Sequence, residues 1–498
     1  MAVREEVVSR LQANQRARTR LNSFWVAGHA YLILTAVLYI VWAFSDRVGG
    51  LDWQKEWAYF SAIKTSLLSG HLIPIMWSPP AQVAWYPAIV HSSSFVGNPE
   101  TMLFSPFTLL LILLPVSTYV KVLALAHLGL GIAGTLLLAR RLAWTPVQTR
   151  TFSALFFLSP IIIQHVAVGY TPWLTLFFVP WLFYALADAQ LVRGSVLMGA
   201  VLALMLLEGG VHVCLWSLLL VGLYTGCAAV GTRSVWPLTR LALSLCALGI
   251  LAWVRLSSTI HAYSGFHQLA KPGYSPANFA MWGLVPQIPV HANGQLSLTI
   301  WMGVPFWDGA VFWGMALPLA AVLVLRYPAL RHQAANSSVA WGAMLVSALV
   351  LLTLSFGALY PTLTSVVEHV VRVPFIDLET YPYRLAIPSY YAFSFVAAEH
   401  ARLLWQHLAR TPQRRLVCEG ILTVPLWCVS FTWLAAALAV PTVAYAGIAQ
   451  AITPATIRFA PTTEALPVIL TVAAWMILVA VGAWIWVRRR SATGSANE

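Results

Sequence analysis

Charge and cysteine are the two things this sequence has little of. Only 9% of its 498 residues are Asp, Glu, Lys or Arg, whereas 59% are hydrophobic, and the mean hydropathy is +0.76. A soluble globular protein needs a more polar surface, so this composition excludes that class. The five cysteines lie in or beside apolar runs without ligand-like spacing, which excludes a disulfide framework and a zinc site.

Acidic residues are scarcer than basic ones, with 16 Asp and Glu against 29 Lys and Arg. A nucleic-acid-binding protein with this formal charge of +13 would gather its basic residues into one stripe. Here they are spread over short loops between apolar runs. We therefore expect no nucleic-acid partner.

Long apolar runs are abundant. Runs of about 18 to 24 residues suit helices that cross a hydrocarbon core of about 30 Å. The sequence predicts an all-α polytopic membrane protein with about twelve transmembrane helices in one domain, 24–490, after a basic N-terminus, 1–23, and before a disordered tail, 491–498. The predicted spans are 24–44, 118–139, 150–168, 171–189, 194–207, 210–230, 236–254, 309–326, 338–357, 386–404, 418–440 and 465–487.

The orientation depends on residues 102–116, which are apolar but short for a crossing. If this segment lies along the membrane surface, 20 of the 29 lysines and arginines fall on one side, as the positive-inside rule requires. If it crossed, that asymmetry would be lost. We therefore predict that both termini are cytoplasmic. The predicted outward segments are 45–117, 255–308, 358–385 and 441–464.

The first outward segment concentrates acidic residues, at Asp46, Asp52, Glu56 and Glu100. Asp52 and Glu56 are four residues apart, so a helix over 53–68 would carry both on one face. Trp53, Trp57 and Phe60 would form a neighbouring apolar stripe, which predicts an amphipathic helix lying in the membrane interface. Asp52 has two interpretations, because a catalytic carboxylate and a simple helix N-cap look alike in one sequence.

Several stretches of the sequence resemble the GT-C class of bacterial membrane glycosyltransferases. The first outward segment opens with an acidic residue, continues through an interfacial helix and a Gly-x-x-x-Pro-x-x-Trp turn, and ends in Asn-Pro-Glu and Ser-Pro-Phe. Three further stretches resemble the same class: 165–170 with Trp173, 208–212, and Tyr-Pro-Tyr-Arg at 381–384.

The resemblance implies a GT-C-like fold in the inner membrane of a bacterium and a mechanism. Such enzymes use a polyprenyl-phosphate sugar, held with its lipid in the bilayer, and transfer the sugar to a glycan, lipid or protein acceptor at the outer face. Asp52 matches the position of the family's general base, and Asp46 is the alternative. The carboxylate takes the proton of the acceptor hydroxyl, while cations stabilise the departing phosphate.

Arg384 is the first candidate for the donor phosphate, because a guanidinium can bind phosphate oxygens bidentately. Its alternative role is an ion pair with Asp377 or Glu379 that closes the loop. Arg255, Lys271 and Arg372 are weaker candidates for the phosphate.

Other residues have a possible role in substrate binding: Glu56, His165, His212, Trp53 and Trp57. The two tryptophans could stack on a sugar, but Trp more often anchors a chain at the interface. The two histidines lie near outer helix ends, where a satisfied core histidine is the plainer interpretation, and haem ligation is not supported by their spacing. We predict no cofactor and no metal, since no Asp-x-Asp or Asp-x-x-Asp pair occurs in an outward segment, although the sequence does not exclude a divalent metal.

Two other function classes compete with the transferase. A transporter of a lipid or polar solute would carry charged or broken helices near mid-membrane, for which Glu208-Gly209-Gly210 is the one hint. A catalytically silent GT-C-like subunit would use the same scaffold to pack against partners in a larger complex.

Overall fold

The computed structural model describes residues 31–44, 53–69, 74–77, 98–263, 273–284, 291–292, 295–296, 341–371, 381–408, 411, 428, 457–459, 471 and 473–482. Most of this part of the chain is helical. The helices are α1 (Tyr31–Ala43), α2 (Trp53–Leu68), α3 (Val116–Arg141), α4 (Pro146–Phe157), α5 (Pro160–Val168), α6 (Val179–Leu186), α7 (Leu191–Leu207), α8 (Val211–Thr232), α9 (Trp236–Leu251), α10 (Trp253–Tyr263), α11 (Trp341–Leu354), α12 (Leu359–Val371), α13 (Ala386–Leu408) and α14 (Ala473–Gly482).

Shorter elements connect these helices. Turns of 3-10 helix cover Pro106–Ile112, Thr171–Phe178 and Pro382–Leu385, and Pro276–Asn278 leads into a π-helical turn at Phe279–Gly283. Strand β1 (Pro74–Trp77) pairs antiparallel with β4 (Ile457–Phe459), and β2 (His291–Ala292) pairs with β3 (Gln295–Leu296). The all-α prediction missed these strands, because two to four residues are too few to produce an alternating pattern.

Two helices, α3 and α8, are long and apolar enough to cross a membrane, and α9 with α10 makes a third if that pair, bent by 81°, is one span. At 1.5 Å per residue, α3 is about 39 Å long, which exceeds a hydrocarbon core of about 30 Å. The structure therefore supports a membrane protein. The count of twelve spans stays a prediction, and two of its members, 309–326 and 418–440 apart from Cys428, lie outside the described residues.

Prolines account for the main departure from the predicted spans. The span predicted at 150–168 is two helices, α4 and α5, that meet at Ser159 and Pro160. The Ser159 hydroxyl accepts a hydrogen bond from the backbone N–H of Ile161 at 3.3 Å, and Pro160 occupies the first helical position, where its missing N–H costs nothing. A Ser-Pro pair thus starts a new helix inside an apolar run.

The segment 102–116 forms no crossing helix of its own. Its helical part, Pro106–Ile112, has seven residues and at about 2 Å per residue spans about 14 Å, half of the hydrocarbon core. Leu109 on this turn and Leu113, which directly follows it, are exposed. The placement of this segment along the membrane surface stays a prediction.

The chain divides into two compact units, each made of discontinuous segments. The first unit comprises 1–51, 124–169 and 269–442, and the second comprises 52–123, 170–268 and 443–498. In the first unit, α13 packs against α4 and α11. Tyr390 on α13 donates to the backbone carbonyl of Leu155 at 2.6 Å, and Ser389 donates to that of Ala348 at 2.6 Å. The prediction of one membrane domain stays a prediction.

In the second unit, α7 packs closely against α9. A Cβ at Gly199 would lie 2.5 Å from the Cβ of Ala247, so glycine is what allows the two backbones to approach. Arg193, at the start of α7, pairs with both carboxylate oxygens of Asp188, and Arg240, near the start of α9, donates to the backbone carbonyl of Asp188. The starts of α7 and α9 therefore lie at the same end of the unit, as the predicted orientation requires of Arg193 and Arg240.

The predicted orientation can be measured by cysteine labelling in sealed right-side-out vesicles. In a chain freed of its five native cysteines, a cysteine placed within 85–95 should react with an impermeant maleimide, and tags at both termini should be protected. A cysteine replacing Thr145 should be protected too. Labelling at Thr145 from outside would contradict the orientation, since the neighbouring Arg140 and Arg141 would then be on the wrong face.

Candidate active site

A buried group of charged side chains lies at the start of α2, which begins at Trp53 as the sequence predicts. The Nζ of Lys55 lies 2.9 Å from Oε2 of Glu100 and 3.6 Å from Oε1 of Glu56. Lys55 and Glu56 are 7% and 1% exposed, respectively. Lys55 thus lies between two carboxylates and contacts both.

Glu56 is held from a second side by the 3-10 helix that follows Tyr170. The hydroxyl of Thr171, the first residue of that helix, donates to Oε2 of Glu56. The Nζ of Lys55 lies 5.3 Å from the centre of the Tyr170 ring, within range of a cation–π interaction. Tyr170 and Thr171 thus join Lys55 and Glu56, at the start of α2, in one polar group.

The turn of residues 98–101 carries Glu100 to this group. The Asn98 side chain accepts from the backbone N–H of Glu100 at 3.0 Å, and it donates to the Tyr59 hydroxyl at 3.1 Å. Burial raises the pKa of Tyr59, so the phenol stays protonated and neutral. The Asx turn therefore fixes the direction of the Glu100 side chain and joins the turn to α2.

Arg255 binds the same turn from α10. Its Nη1 donates to the backbone carbonyl of Asn98 at 2.6 Å and to the Thr101 hydroxyl at 3.2 Å, and its Nη2 donates to the backbone carbonyl of Thr101. The side chain is fully buried. Arg255 was a weaker candidate for the donor phosphate; in this structure its two Nη groups donate to protein oxygens inside the unit.

The turn between α7 and α8 closes this end of the second unit. Gly209 has a φ of +81°, and a Cβ there would lie 2.6 Å from the backbone oxygen of Glu100. Only glycine fits both the left-handed backbone and the close approach. Glu208, which precedes it at the end of α7, is fully buried. Glu56, Glu100 and Glu208 thus lie on elements that meet at one end of the unit.

In the first unit, Arg384 lies at the start of α13, in the 3-10 helix Pro382–Leu385. Its guanidinium lies 4.5 Å from the centre of the Tyr381 ring, and the residue is 6% exposed. A buried guanidinium next to a helix N-terminus is a favourable place for an anion. The alternative partners, Asp377 and Glu379, lie outside the described residues, so the structure does not decide between the two roles.

Four of the predicted site residues, Asp46, Asp52, Lys271 and Arg372, lie outside the described residues. Among the residues that the structure describes, no group of three or more His, Cys, Asp or Glu side chains is arranged to hold a metal ion.

Two of the four aromatic and histidine candidates, Trp53 and His165, are buried. Trp53 is 2% exposed, which leaves no open ring face for a sugar, whereas Trp57 is half-buried. The Nδ1 of His165 lies 2.6 Å from the backbone oxygen of Ile161 in the same helix. His212 is half-buried, with its ring 6.1 Å from that of Trp216.

The expected amphipathic character of α2 is wrong in one respect. An amphipathic helix would expose its charged side chains, but Lys55 and Glu56 are both buried, like the apolar Phe60 on the same helix. Lys55, Asn98, Thr101 and Thr171 were not among the predicted site residues. The sequence did contain a signal for Lys55, which stands beside Glu56 in a helix that is otherwise rich in aromatic residues. A lysine buried in such a helix needs a charged partner.

No family model and no curated protein sequence matches the chain. Among solved structures, the cryo-EM structure of the arabinofuranosyltransferase AftD from Mycobacteria is similar, with 13% identity, a TM-score of 0.39, and alignment over 83% of this chain and 27% of that chain. The crystal structure of the Archaeoglobus fulgidus oligosaccharyltransferase in the apo form is similar, with 12% identity, a TM-score of 0.43, and alignment over 82% of this chain and 56% of that chain. The chain thus spans about a quarter and about half of these two proteins, and likeness at this level does not identify a family.

Proposed function

We propose that this protein transfers a sugar from a polyprenyl-phosphate-linked donor to a glycan, lipid or protein acceptor at the outer face of the membrane. The observation that carries the proposal is the group of Lys55, Glu56 and Glu100, in which Lys55 and Glu56 are buried. Buried titratable groups with a specific charged partner are candidates for a functional site. The first outward segment, whose sequence resembles that of GT-C enzymes, builds this group itself, and Asp52 directly precedes it in the chain.

The two carboxylates of the group support a role on the acceptor side. Carboxylate oxygens accept hydrogen bonds, so they suit an acceptor that offers hydroxyl donors. In the proposed reaction, Asp52 takes the proton of the acceptor hydroxyl as the anomeric carbon leaves the donor phosphate, and Asp46 is the alternative base. Arg384 stabilises the phosphate, with Lys271 and Arg372 as further candidates.

The transporter stays an alternative to the enzyme. A transporter would be expected to carry ionisable groups near the middle of its membrane helices. Glu208 lies at the end of α7 and Glu56 at the start of α2, whereas His127 is buried near the middle of α3. The catalytically silent subunit is the other alternative, and an activity measurement separates it from the enzyme.

Replacing Arg384 with lysine should weaken the use of the donor. Lysine keeps the positive charge but loses the planar fork that binds two phosphate oxygens. We expect the KM for the donor to rise by about 10-fold, the equivalent of one charge-assisted hydrogen bond, while the melting temperature changes little. Steady-state kinetics against donor concentration measure this. An unchanged KM would assign Arg384 a structural role, such as pairing with Asp377 or Glu379.

A structure with bound polyprenyl phosphate tests the proposed function directly. We expect lipid phosphate density within hydrogen-bond distance of Arg384 and a sugar headgroup near Asp52 when a hydrolysis-resistant donor is used. A partner protein covering these residues in place of the lipid would favour the silent subunit.

A further inference from the structure

Arg255 brings a full positive charge into the interior of the second unit. It lies on α10, shortly after the bend of 81° that separates α10 from α9, and it is 0% exposed. A buried guanidinium is costly unless its donors are satisfied, so the acceptors around it indicate its role.

Three hydrogen bonds join Arg255 to one turn. The backbone carbonyls of Asn98 and Thr101 and the hydroxyl of Thr101 all accept from it, and the guanidinium carbon lies 5.0 Å from the centre of the Phe104 ring. A planar fork that binds both ends of a four-residue turn restricts the turn in position and in direction.

The turn carries the side chain that completes the buried charged group. Glu100 lies between Asn98 and Thr101, and its Oε2 lies 2.9 Å from Nζ of Lys55 on the first turn of α2. Movement of the turn would therefore separate Glu100 from Lys55 and release the start of α2, which Asp52 directly precedes in the sequence.

We propose that Arg255 is a positioning residue for catalysis, which acts by holding the Asn98–Thr101 turn so that Glu100 fixes Lys55 and the start of α2. This inference rests on the proposed function for its kinetic readout. The competing explanation is that Arg255 only anchors α10 for folding. In that case, replacing another arginine that anchors a helix in the same way would lower kcat equally.

Arg240 is the matched control, because its guanidinium also donates to backbone carbonyls. It lies near the start of α9, whereas Arg255 lies beyond the end of α9. Its Nη1 donates to the backbone carbonyl of Leu186 at 2.9 Å and its Nη2 to that of Asp188 at 2.5 Å. Arg240→Lys and Arg255→Lys thus remove the same kind of guanidinium clamp, one away from the charged group and one beside it.

The two variants are compared in the full-length protein, in nanodiscs, by kcat, by KM for the donor and by hydrogen exchange of 53–60 and 98–104. Arg255→Lys should lower kcat by roughly 10- to 100-fold, the usual effect of a misplaced catalytic element, while KM stays within about threefold. Exchange in both segments should rise by about tenfold. Arg240→Lys should leave kcat and the exchange of both segments within about threefold of the parent, although it lowers the melting temperature by a similar amount.

A double variant tests whether Arg255 acts through Glu100. In the Glu100→Gln background, Arg255→Lys should lower kcat by less than about threefold more, because the contact that it protects is already weakened. Full, multiplicative loss in the double variant would overturn the inference, and so would equal loss of kcat in Arg255→Lys and Arg240→Lys.

Two further experiments test the inference if Arg255→Lys does not fold or if the parent shows no transfer activity. If Arg255→Lys does not fold, Thr101→Val removes one acceptor and keeps the shape, and it should lower kcat by about threefold with raised exchange in 98–104. If the parent transfers no sugar from any donor, the proposed function fails, and hydrogen exchange alone decides: a rise in 53–60 in Arg255→Lys but not in Arg240→Lys supports the clamp, and no rise overturns it.

Discussion

Replacing Asp52 with asparagine is expected to lower turnover by about 100-fold or more, with expression and melting temperature nearly unchanged. Asparagine cannot take a proton, but it ranks with aspartate as an N-cap and so preserves the start of the helix that begins at Trp53. The change therefore separates the two interpretations of Asp52. Transfer kinetics and thermal unfolding of the same purified variant provide the measurement.

Two companion variants sharpen this result. Asp52→Ala should reduce turnover similarly and also remove about 1 kcal/mol of capping stability that asparagine retains. Asp46→Asn shows whether the role belongs to the neighbouring acid. Turnover of Asp52→Asn within a few-fold of the parent would rule out Asp52 as the general base.

Replacing Lys55 with methionine should be the most destabilising single change at the buried charged group. Methionine fills a similar volume but leaves the carboxylates of Glu56 and Glu100 without the lysine that lies 3.6 Å and 2.9 Å from them. Removal of one partner from a buried ion pair costs about 3 kcal/mol or more. Because the remaining carboxylates can take up a proton, the loss should be smaller at pH 5 than at pH 7.5.

Lys64→Met is the matched control on the same helix. Lys64 is half-buried, and its Nζ donates to the backbone carbonyl of Leu114 at 2.7 Å. Loss of that hydrogen bond should cost about 1 kcal/mol with no marked pH dependence. Thermal unfolding in detergent at the two pH values measures both variants, and equal losses at Lys55 and Lys64 would show that the buried charges do not stabilise the site.

Local signals predicted much of the helical framework. The helix Trp53–Leu68 begins directly after an aspartate and contains an apolar repeat. Helices α3, α7 and α8 coincide within a few residues with predicted spans. Such helices are encoded in consecutive residues, by length and apolar content. The Ser159-Pro160 pair is a local signal for a helix start as well. The apolar run on both sides of it nevertheless led to the prediction of one continuous span over 150–168.

The candidate site was less accessible to sequence analysis, because its contacts join distant parts of the chain. Glu100 reaches Lys55 across 45 residues and Arg255 reaches Asn98 across 157. The expectation that acids gather on the outward side stays a prediction; Glu208 lies directly after α7 and Arg255 lies on α10. Which acid meets which base is set by helix packing, as at Gly199, and no local pattern contains that information.

The transfer reaction itself is the most direct test of the proposed function. Purified protein in proteoliposomes is given a panel of polyprenyl-phosphate sugars with candidate glycan, lipid and protein acceptors, in the absence of nucleotides, and both glycosylated acceptor and released polyprenyl phosphate are measured. We expect at least one donor to yield the two products in a ratio of one to one, with the yield abolished in Asp52→Asn. Correctly folded protein that releases no polyprenyl phosphate from any donor, or that releases it equally well in Asp52→Asn, would contradict the account.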